Sequence, residues 1–475
     1  MTTTHPRHSE SETLMDTHTQ TNGLRGDQQD DTAEHDRARA SGPVARLVAA
    51  SLVAGLVAAA VLVLVVFPGA AESTITGSFL VAFGFGWALL GWLTARFTDR
   101  SLRWTAVPAV AMAATGAALL AFTPEDAAMR AMGWVWPVAT VALAGYIWDQ
   151  ARRTVPRRGR WMLTGVAAVL AVISIGGAYE DVAVVREQPA SVAPGTLYDV
   201  DGHQMYLDCR GHGSPTVVLF NGLGEVTASW VRIVDQVASH TRVCAYDRAG
   251  QGWSESANHL QDGVEVAADL HALLQAAGEH GPYVLTGHST GGTFALTYAA
   301  QYPDQVAGMV LLDSSSPHQF DLPAYPGQYA MMRRGLAVLP TLDRFGLGRL
   351  LWAASPARLP DPAAEEVAEL SASARAARSG RDEISMLPEV FEQAQALTTL
   401  GGRPLAVLTA SESQDGTDGW PAAQDQLAAL STNSTHRTVD ASHAGLLEDV
   451  GPARESADAV TEVVRAARTA SATGR

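Results

Sequence analysis

The chain has 475 residues, of which 47% are hydrophobic and only 17% are charged, and its formal net charge is -16. That length exceeds one ordinary domain, and so low a charged fraction is unusual for a soluble protein, so a membrane portion is expected. The negative charge argues against a nucleic-acid partner, because phosphate binding needs clustered basic side chains.

The N-terminal tail, residues 1–42, is rich in Thr, His, Asp, Gln and Ser. A segment with so few apolar residues cannot bury enough surface to offset the entropy of ordering. The sequence therefore predicts a disordered cytoplasmic tail.

Five uncharged apolar runs follow, at 47–67, 73–95, 104–123, 131–148 and 161–179. Each is close to the roughly 20 residues that a helix needs to cross about 30 Å of hydrocarbon. They predict a transmembrane region of about five helices over 43–180, in which the fourth span is the shortest. The runs contain no ionisable residue other than tyrosine, so they are expected to anchor the protein rather than to transport. Their many small residues allow either a compact or a self-associating bundle.

Arginine placement predicts the orientation of these spans, because short loops with excess Arg stay on the cytoplasmic side. Arginines precede the first run, join the second to the third, and join the fourth to the fifth, whereas the alternate loops are nearly free of positive charge. An odd number of spans then puts the N-terminus in the cytoplasm and everything after Tyr179 outside it. A cleaved signal peptide is the alternative for the first run, but its basic region would be unusually long.

From about residue 189, short β-prone runs alternate with helical ones, a pattern typical of α/β domains with a mostly parallel sheet. One large domain is expected over 189–475. Its eight predicted strands are TLYDV, QMYLDCR, TVVLF, TRVCAYD, YVLTG, GMVLLD, PLAVLTA and HRTVDA.

Four motifs occur in this domain in the order FNGLGEVTASW, YDRAGQGWS, GHSTG and SHAGLLED. They resemble the third-strand loop, the fourth-strand turn, the nucleophile elbow and the histidine loop of the α/β-hydrolase fold family. One G-x-S-x-G match is weak, but its strand-turn-helix context and three companion motifs make it specific. The resemblance covers Thr196 to about Glu455 and implies a serine hydrolase with strand order 1-2-4-3-5-6-7-8.

Ser289 is the predicted nucleophile. A nucleophile on so tight a turn has strained backbone angles, so Gly287 and Gly291 are expected beside it. The turn would put the Thr290 N–H at a helix start, where a negative oxygen is favoured. The resemblance implies a second oxyanion donor, the N–H of Leu223. The alternative is that Ser289 is merely a small residue in a crowded turn.

A serine hydroxyl needs a base, and His443 is the best candidate because it follows the last predicted strand directly, where the resembled family keeps its general base. The alternative is a surface-loop histidine. His288, beside the nucleophile, is expected to pack against or hydrogen-bond the wall of the site. YDRAGQGWS is expected to be architectural, so Asp247 is not predicted to be catalytic.

The acid of the triad has two candidate positions. Most members of the resembled family place it after the seventh strand, where this chain offers Glu412, Asp415 and Asp418 as candidates, none with the usual glycine and spacing. Asp313 ends the sixth strand 24 residues after Ser289, as a minority of the fold arranges it. Asp313 is favoured over Asp415, although an aspartate there can also merely cap the strand end.

The resemblance makes the second and fourth strands neighbours, so a disulfide between Cys209 and Cys244 is predicted outside the cytoplasm, with two buried free thiols as the alternative. No cluster of Cys, His and Asp suggests a metal, and no cofactor is expected.

About ninety residues separate Asp313 from Pro404, and their helical periodicity predicts a helical cap at about 318–402. Apolar residues of this segment would either line a substrate channel or pack the cap onto the core; they are Tyr329, Met331, Met332, Phe345, Leu350 and Trp352.

The sequence thus predicts a membrane-anchored, extracytoplasmic serine hydrolase that cleaves a small-molecule or lipid ester. Hydrolysis of an amide or peptide, by an amidase or aminopeptidase of the same fold, is the nearest alternative. An alternative from a different functional class is a catalytically silent sensor or scaffold held at the membrane. Epoxide hydrolases and dehalogenases are disfavoured, because the resembled enzymes carry an aspartate nucleophile where this chain has Ser289.

Overall fold

The structure is a computed structural model that describes residues 44–99, 101–186 and 193–473. The predicted disordered tail, 1–42, lies outside the described residues. The chain divides into two compact units. The first contains Leu80–Ala117, Ala139–Ala171 and the described residues before Ala60; the second contains Ala60–Phe79, Ala118–Val138 and the chain from Val172 onward. The boundaries predicted for the transmembrane region and the cap stay predictions.

The apolar region forms helices α1 Val44–Val66, α2 Glu72–Phe97, α3 Ala106–Phe122, α4 Asp126–Gly133, α5 Trp136–Thr154 and α6 Arg157–Arg186. By length and composition, α1, α2, α3 with the turn before it, and α6 could each cross a membrane. The pair α4 and α5 would add a fifth span if it is one broken span, because the two are bent by 50°. The break comes just before Pro137, whose ring in a continuous helix would clash with the Gly133 carbonyl oxygen and whose nitrogen could not donate to it. It therefore falls within the shortest predicted run.

The second unit contains one eight-stranded sheet of order β1-β2-β4-β3-β5-β6-β7-β8, as predicted. The strands are β1 Thr196–Val200, β2 His203–Arg210, β3 Thr216–Phe220, β4 Val243–Tyr246, β5 Tyr283–His288, β6 Val306–Leu312, β7 Leu405–Ala410 and β8 Ser434–Val439. β2 pairs antiparallel with β1 and β4, and the other neighbours are parallel. Cys209 lies directly opposite Cys244, and the predicted disulfide joins them.

Helices cover both faces of the sheet, which explains why every residue of β3 and β5 is buried. The helices of this unit are α7 Val231–Val237, α8 Gly263–Ala276, α9 Thr290–Gln301, α10 Tyr325–Asp343, α11 Leu347–Ala354, α12 Ala363–Ser371, α13 Ala374–Ala394, α14 Ser411–Gly416, α15 Trp420–Ala428, α16 Gly445–Glu448 and α17 Val450–Ala472. Side chains of α8, α9 and α13 fill the core on one face, and those of α7 and α17 fill it on the other. Because the inner strands are parallel, their carboxyl ends meet at one edge.

The segment between β6 and β7 contains α10 to α13, in agreement with its helical periodicity. Helix α13 runs unbroken through Pro388, where the local rule for proline predicts a helix boundary. Its buried side chains Ile384, Leu387, Phe391 and Ala394 recur at helical spacing on both sides of the proline. Burial of this continuous apolar face offsets the backbone hydrogen bond that Pro388 cannot donate.

Candidate active site

The turn between β5 and α9 has the strained geometry expected of a nucleophile elbow. Ser289 has φ 54° and ψ -128°, a conformation that residues with a side chain rarely adopt. A Cβ on Gly291 would lie 2.1 Å from the Phe220 carbonyl oxygen, and one on Gly287 would lie 2.6 Å from the Gly292 Cα. Only glycine therefore fits on either side of the turn.

The loop after β3 lies against the side chain of Ser289. A Cβ on Gly222 would be 3.0 Å from the Ser289 Cβ. Thr290 is the first residue of α9, so its N–H has no partner within the helix. In the described part of the chain, neither this N–H nor that of Leu223 donates a hydrogen bond. Both predicted oxyanion donors are therefore free to bind an oxygen, and that role stays a prediction.

His443 and Asp313 are hydrogen-bonded to each other. His443 Nδ1 lies 2.6 Å from Asp313 Oδ2, and the aspartate side chain is fully buried while that of the histidine is 42% exposed. An ionised carboxylate only accepts, so Nδ1 carries the hydrogen and Nε2 is left as the basic nitrogen. Ser289 Oγ makes no hydrogen bond among the described residues, which is common in sites without substrate.

The segment after β7, where the alternative acids lie, supplies hydrogen-bond donors to Asp313. Oδ1 accepts from the Ala410 N–H at 3.2 Å and from Trp420 Nε1 at 3.0 Å, and Oδ2 accepts from Ser413 Oγ at 2.5 Å. Burial alone would raise the pKa of Asp313, but His443 and these donors outweigh it and lower the pKa. Ser413 and Trp420 were not predicted from the sequence, in which their only signal is a position in the segment after the seventh strand, where most of the family places the acid.

The alternative acids lie elsewhere. Glu412, Asp415 and Asp418 are all exposed, and the two aspartates line an open surface groove of about 610 Å³. The structure thus pairs His443 with Asp313 and not with Asp415. Asp313 also has a positive φ of 42°, so two of the candidate catalytic residues have strained backbones.

A second histidine–carboxylate pair lies beside the first. His288 is buried, its Nδ1 contacts a Glu225 carboxylate oxygen, and its Nε2 lies 3.0 Å from the His443 carbonyl oxygen. The two imidazole rings are 4.5 Å apart between centroids. Both nitrogens of His288 face oxygens that only accept, so the ring carries two hydrogens and a positive charge. The expectation that His288 hydrogen-bonds the wall of the site agrees with this arrangement.

Glu225 connects this pair to the loop that carries the predicted oxyanion donor. Its Oε2 accepts from the Gly222 N–H at 2.5 Å. Burial disfavours both charges, but their mutual attraction outweighs it, so the pKa of His288 is raised and that of Glu225 is lowered. Glu225 was not predicted as a site residue. An acid three residues after Gly222 in a tight turn was nevertheless a signal that its side chain could accept from the Gly222 N–H.

The YDRAGQGWS turn also supports the site. The guanidinium of Arg248 donates to the Asn221 carbonyl oxygen at 2.5 Å and to Glu383 Oε2 at 2.7 Å. Glu383 Oε1 in turn accepts from Thr290 Oγ1 at 2.8 Å. Asp247 accepts from neighbouring loop residues, as its architectural role requires. Helix α13 therefore contacts the elbow directly.

One group of side chains is spaced closely enough to be considered as a metal site. Among the residues that the structure describes, Cys209, Cys244 and Glu279 form the one group of His, Cys and acidic side chains spaced closely enough for an ion. The two sulfurs are joined in the disulfide and are not available as ligands.

Comparisons with known proteins agree with this fold. Residues 215–450 match the sequence profile of the alpha/beta hydrolase fold. The uncharacterized protein YbdG of Bacillus subtilis is 25% identical over 184 residues, which are 38% of this chain and 57% of that protein. Epoxide hydrolase 3 of Xenopus tropicalis is 29% identical over 181 residues, 34% of this chain and 49% of that protein.

The chain therefore spans about half the length of these two relatives. A solved thermophilic esterase from Thermogutta terrifontis has 22% identity and a TM-score of 0.45, covering 58% of this chain and 98% of the esterase. Together with the strand order and the elbow, the match over residues 215–450 shows that the chain belongs to the α/β-hydrolase fold family.

Proposed function

We propose that the chain is a membrane-anchored serine hydrolase that cleaves a carboxylic ester outside the cytoplasm. The observation that carries this proposal is the Asp313–His443 hydrogen bond at the same sheet edge as the strained Ser289. A silent scaffold would gain nothing from two strained residues and a fully hydrogen-bonded buried acid, so the catalytic alternative is favoured.

The residues support an acyl-enzyme mechanism. Ser289 Oγ attacks the acyl carbonyl while His443 Nε2 takes its proton, and Asp313 holds the imidazole tautomer and stabilises the imidazolium. The N–H groups of Leu223 and Thr290 would stabilise the oxyanion, each contributing about 3 to 4 kcal/mol. His443 then protonates the leaving alkoxide, which leaves the acyl group on Ser289 Oγ. In the second half, water adds to the acyl carbonyl as His443 Nε2 takes its proton, and His443 returns that proton to Ser289 Oγ as the bond between Oγ and the acyl carbon breaks and the carboxylic acid leaves. An amide substrate would follow the same path with an amine as leaving group.

A fluorophosphonate probe tests the nucleophile on the full chain in detergent. The wild type is expected to become labelled and Ser289→Ala to lose all labelling, because the probe reacts only with an activated serine. Ser239→Ala, which changes an exposed serine of the same unit, should label like the wild type. Absence of labelling in wild type that retains its native circular dichroism would contradict the enzyme and favour the scaffold.

The proposed orientation has its own test. The Cys209–Cys244 disulfide persists in an oxidising compartment, which supports an extracytoplasmic hydrolase unit. Alkaline phosphatase fused after the last residue is expected to be active in cells, since that enzyme matures only outside the cytoplasm, and green fluorescent protein at the same place should be dark. The reverse pattern would place the hydrolase unit in the cytoplasm.

A further inference from the structure

Helix α11 presents an apolar face that the fold leaves uncovered. Leu347, Leu350 and Leu351 are 36%, 66% and 52% exposed, and their spacing puts them on one side of the helix. Elsewhere on α11, Gly348 is buried and Trp352 packs against a small apolar cluster. These three leucines are termed the leucine face. Exposed apolar groups of this kind mark a surface that meets another molecule or a membrane.

The leucine face lies beside the end of α6, the last apolar helix. A Cβ on Gly176 would lie 2.1 Å from the Phe345 carbonyl oxygen, so the turn before α11 touches α6 there. One helical turn further along α6, Glu180 accepts from Arg349 Nε at 2.6 Å. At 3.6 residues per turn, Arg349 lies on the side of α11 opposite the leucine face. The leucines therefore face away from the Glu180 contact with α6 and are left uncovered.

A second contact joins the cap to the end of α1. Arg334 Nε donates to the Leu64 carbonyl oxygen at 3.1 Å. Leu64, Val65 and Val66 are themselves exposed, and Met331, one turn before Arg334 on α10, is 71% exposed. The uncovered apolar side chains of α10 and α11 thus belong to helices that contact the ends of α1 and α6, both of which are apolar enough to cross a bilayer. Lipid acyl chains are the occupant that covers all of them at once.

Helix α13 connects the elbow that carries Ser289 to the starts of two other helices of the apolar region. Arg378 makes ion pairs with Asp126 at 2.5 Å and with Glu72 at 3.3 Å, at the starts of α4 and α2. Glu383, which accepts from the Thr290 hydroxyl, lies five residues further along α13. That separation is about 7.5 Å along a helix axis. The candidate active site is therefore adjacent to the ends of the apolar helices.

We propose that the leucine face lies among the acyl chains of the outer leaflet, and that the substrate is a long-chain ester taken from that leaflet. The inference rests on the proposed hydrolase function and its orientation. A substrate dissolved in the bilayer would then have only a short path from the leaflet to Ser289.

The first test uses the full chain reconstituted in phosphatidylcholine vesicles. It compares the rate of hydrolysis of a long-chain ester dissolved in the bilayer with that of a short-chain ester dissolved in water. The variant Leu350→Glu with Leu351→Glu is expected to hydrolyse p-nitrophenyl palmitate in the vesicles about 10- to 100-fold more slowly, because charged side chains oppose burial in acyl chains. Hydrolysis of water-soluble p-nitrophenyl acetate should stay within about twofold, since neither leucine belongs to the proposed catalytic residues. The matched control, Leu260→Glu with Val450→Glu, changes two exposed apolar residues outside the cap and should alter neither rate. Equal losses on both esters, or in both variants, would overturn the inference.

The second test does not depend on activity. An environment-sensitive fluorophore attached through Leu350→Cys, with Leu260→Cys as control, is measured in vesicles of phosphatidylcholine with brominated acyl chains. Quenching at the first position but not the second is expected. Absence of quenching would overturn the inference. Emission that changed with the density of protein in the vesicles, and not with lipid bromination, would also overturn it, because that result would show that a second copy of the chain covers the leucine face. Either result leaves the proposed function standing, because that function fails separately if the fluorophosphonate probe does not label Ser289.

Discussion

Asp313→Asn should lower kcat for ester hydrolysis by about 10⁴-fold, whereas Asp415→Asn should leave it within about twofold. An asparagine at position 313 has no charge to stabilise the imidazolium, and its NH2 group can donate to Nδ1, which would hold the His443 hydrogen on Nε2 and leave the wrong tautomer. Asp415 is exposed and His443 contacts Asp313 instead. Steady-state kinetics of both variants on p-nitrophenyl butyrate measure the difference.

Loss of folding could imitate this result, so thermal unfolding accompanies the kinetics. Asp313 is fully buried and accepts four hydrogen bonds, and the amide can satisfy only part of that set. Asp313→Asn is therefore expected to unfold at a lower temperature than Asp415→Asn yet to remain folded at the assay temperature. If Asp415→Asn lost most activity while Asp313→Asn kept it, the assignment of the acid would be wrong.

The resemblance carried by four motifs was sufficient for the strand order, and local sequence signals were sufficient for the tight turn around Ser289. Gly287, Ser289 and Gly291 belong to one tight turn, and the clashes that a Cβ would meet there arise from neighbours close in the fold. Asp313 was favoured over Asp415 because a minority of the resembled fold places its acid at the end of the sixth strand. Around Ser289, a short pattern determines the local geometry, and the geometry determines which residue type fits.

The supporting residues could not be predicted in this way, because tertiary folding brings them from distant parts of the chain. Glu383 reaches Thr290 from a cap helix, and Trp420 reaches Asp313 across 107 residues of sequence. Such contacts depend on how the insertion between β6 and β7 packs, which no local pattern specifies. Pro388 illustrates the same limit: the local rule predicts a helix boundary, and tertiary burial of α13 overrides it.

Glu225→Gln should destabilise the second unit by about 3 to 5 kcal/mol, because it leaves the His288 imidazolium buried without a counter-charge. The substitution also weakens the acceptor that holds the Gly222 N–H, so the adjacent Leu223 donor is displaced. Loss of one oxyanion donor typically costs about 10²- to 10³-fold in kcat. Chemical denaturation and kinetics on a soluble ester measure the two effects. Glu265→Gln is the matched control, since it alters an exposed histidine–glutamate pair with His259 and should change stability by less than about 1 kcal/mol.

The pH dependence separates this ion pair from simple loss of packing. The pKa of His288 is raised from its ordinary 6.5, so its contribution is complete below 6.5 and is lost as pH rises through the raised value. The pKa of Glu225 is lowered from 4.5, so its contribution is complete above 4.5 and is lost as pH falls through the lowered value. The stability difference between wild type and Glu225→Gln should therefore be largest between these two ordinary values and shrink as His288 deprotonates at higher pH. A difference that stayed constant from about pH 5.5 to about pH 9 would show that the pair is not charged, and that the glutamate contributes through its hydrogen bonds alone.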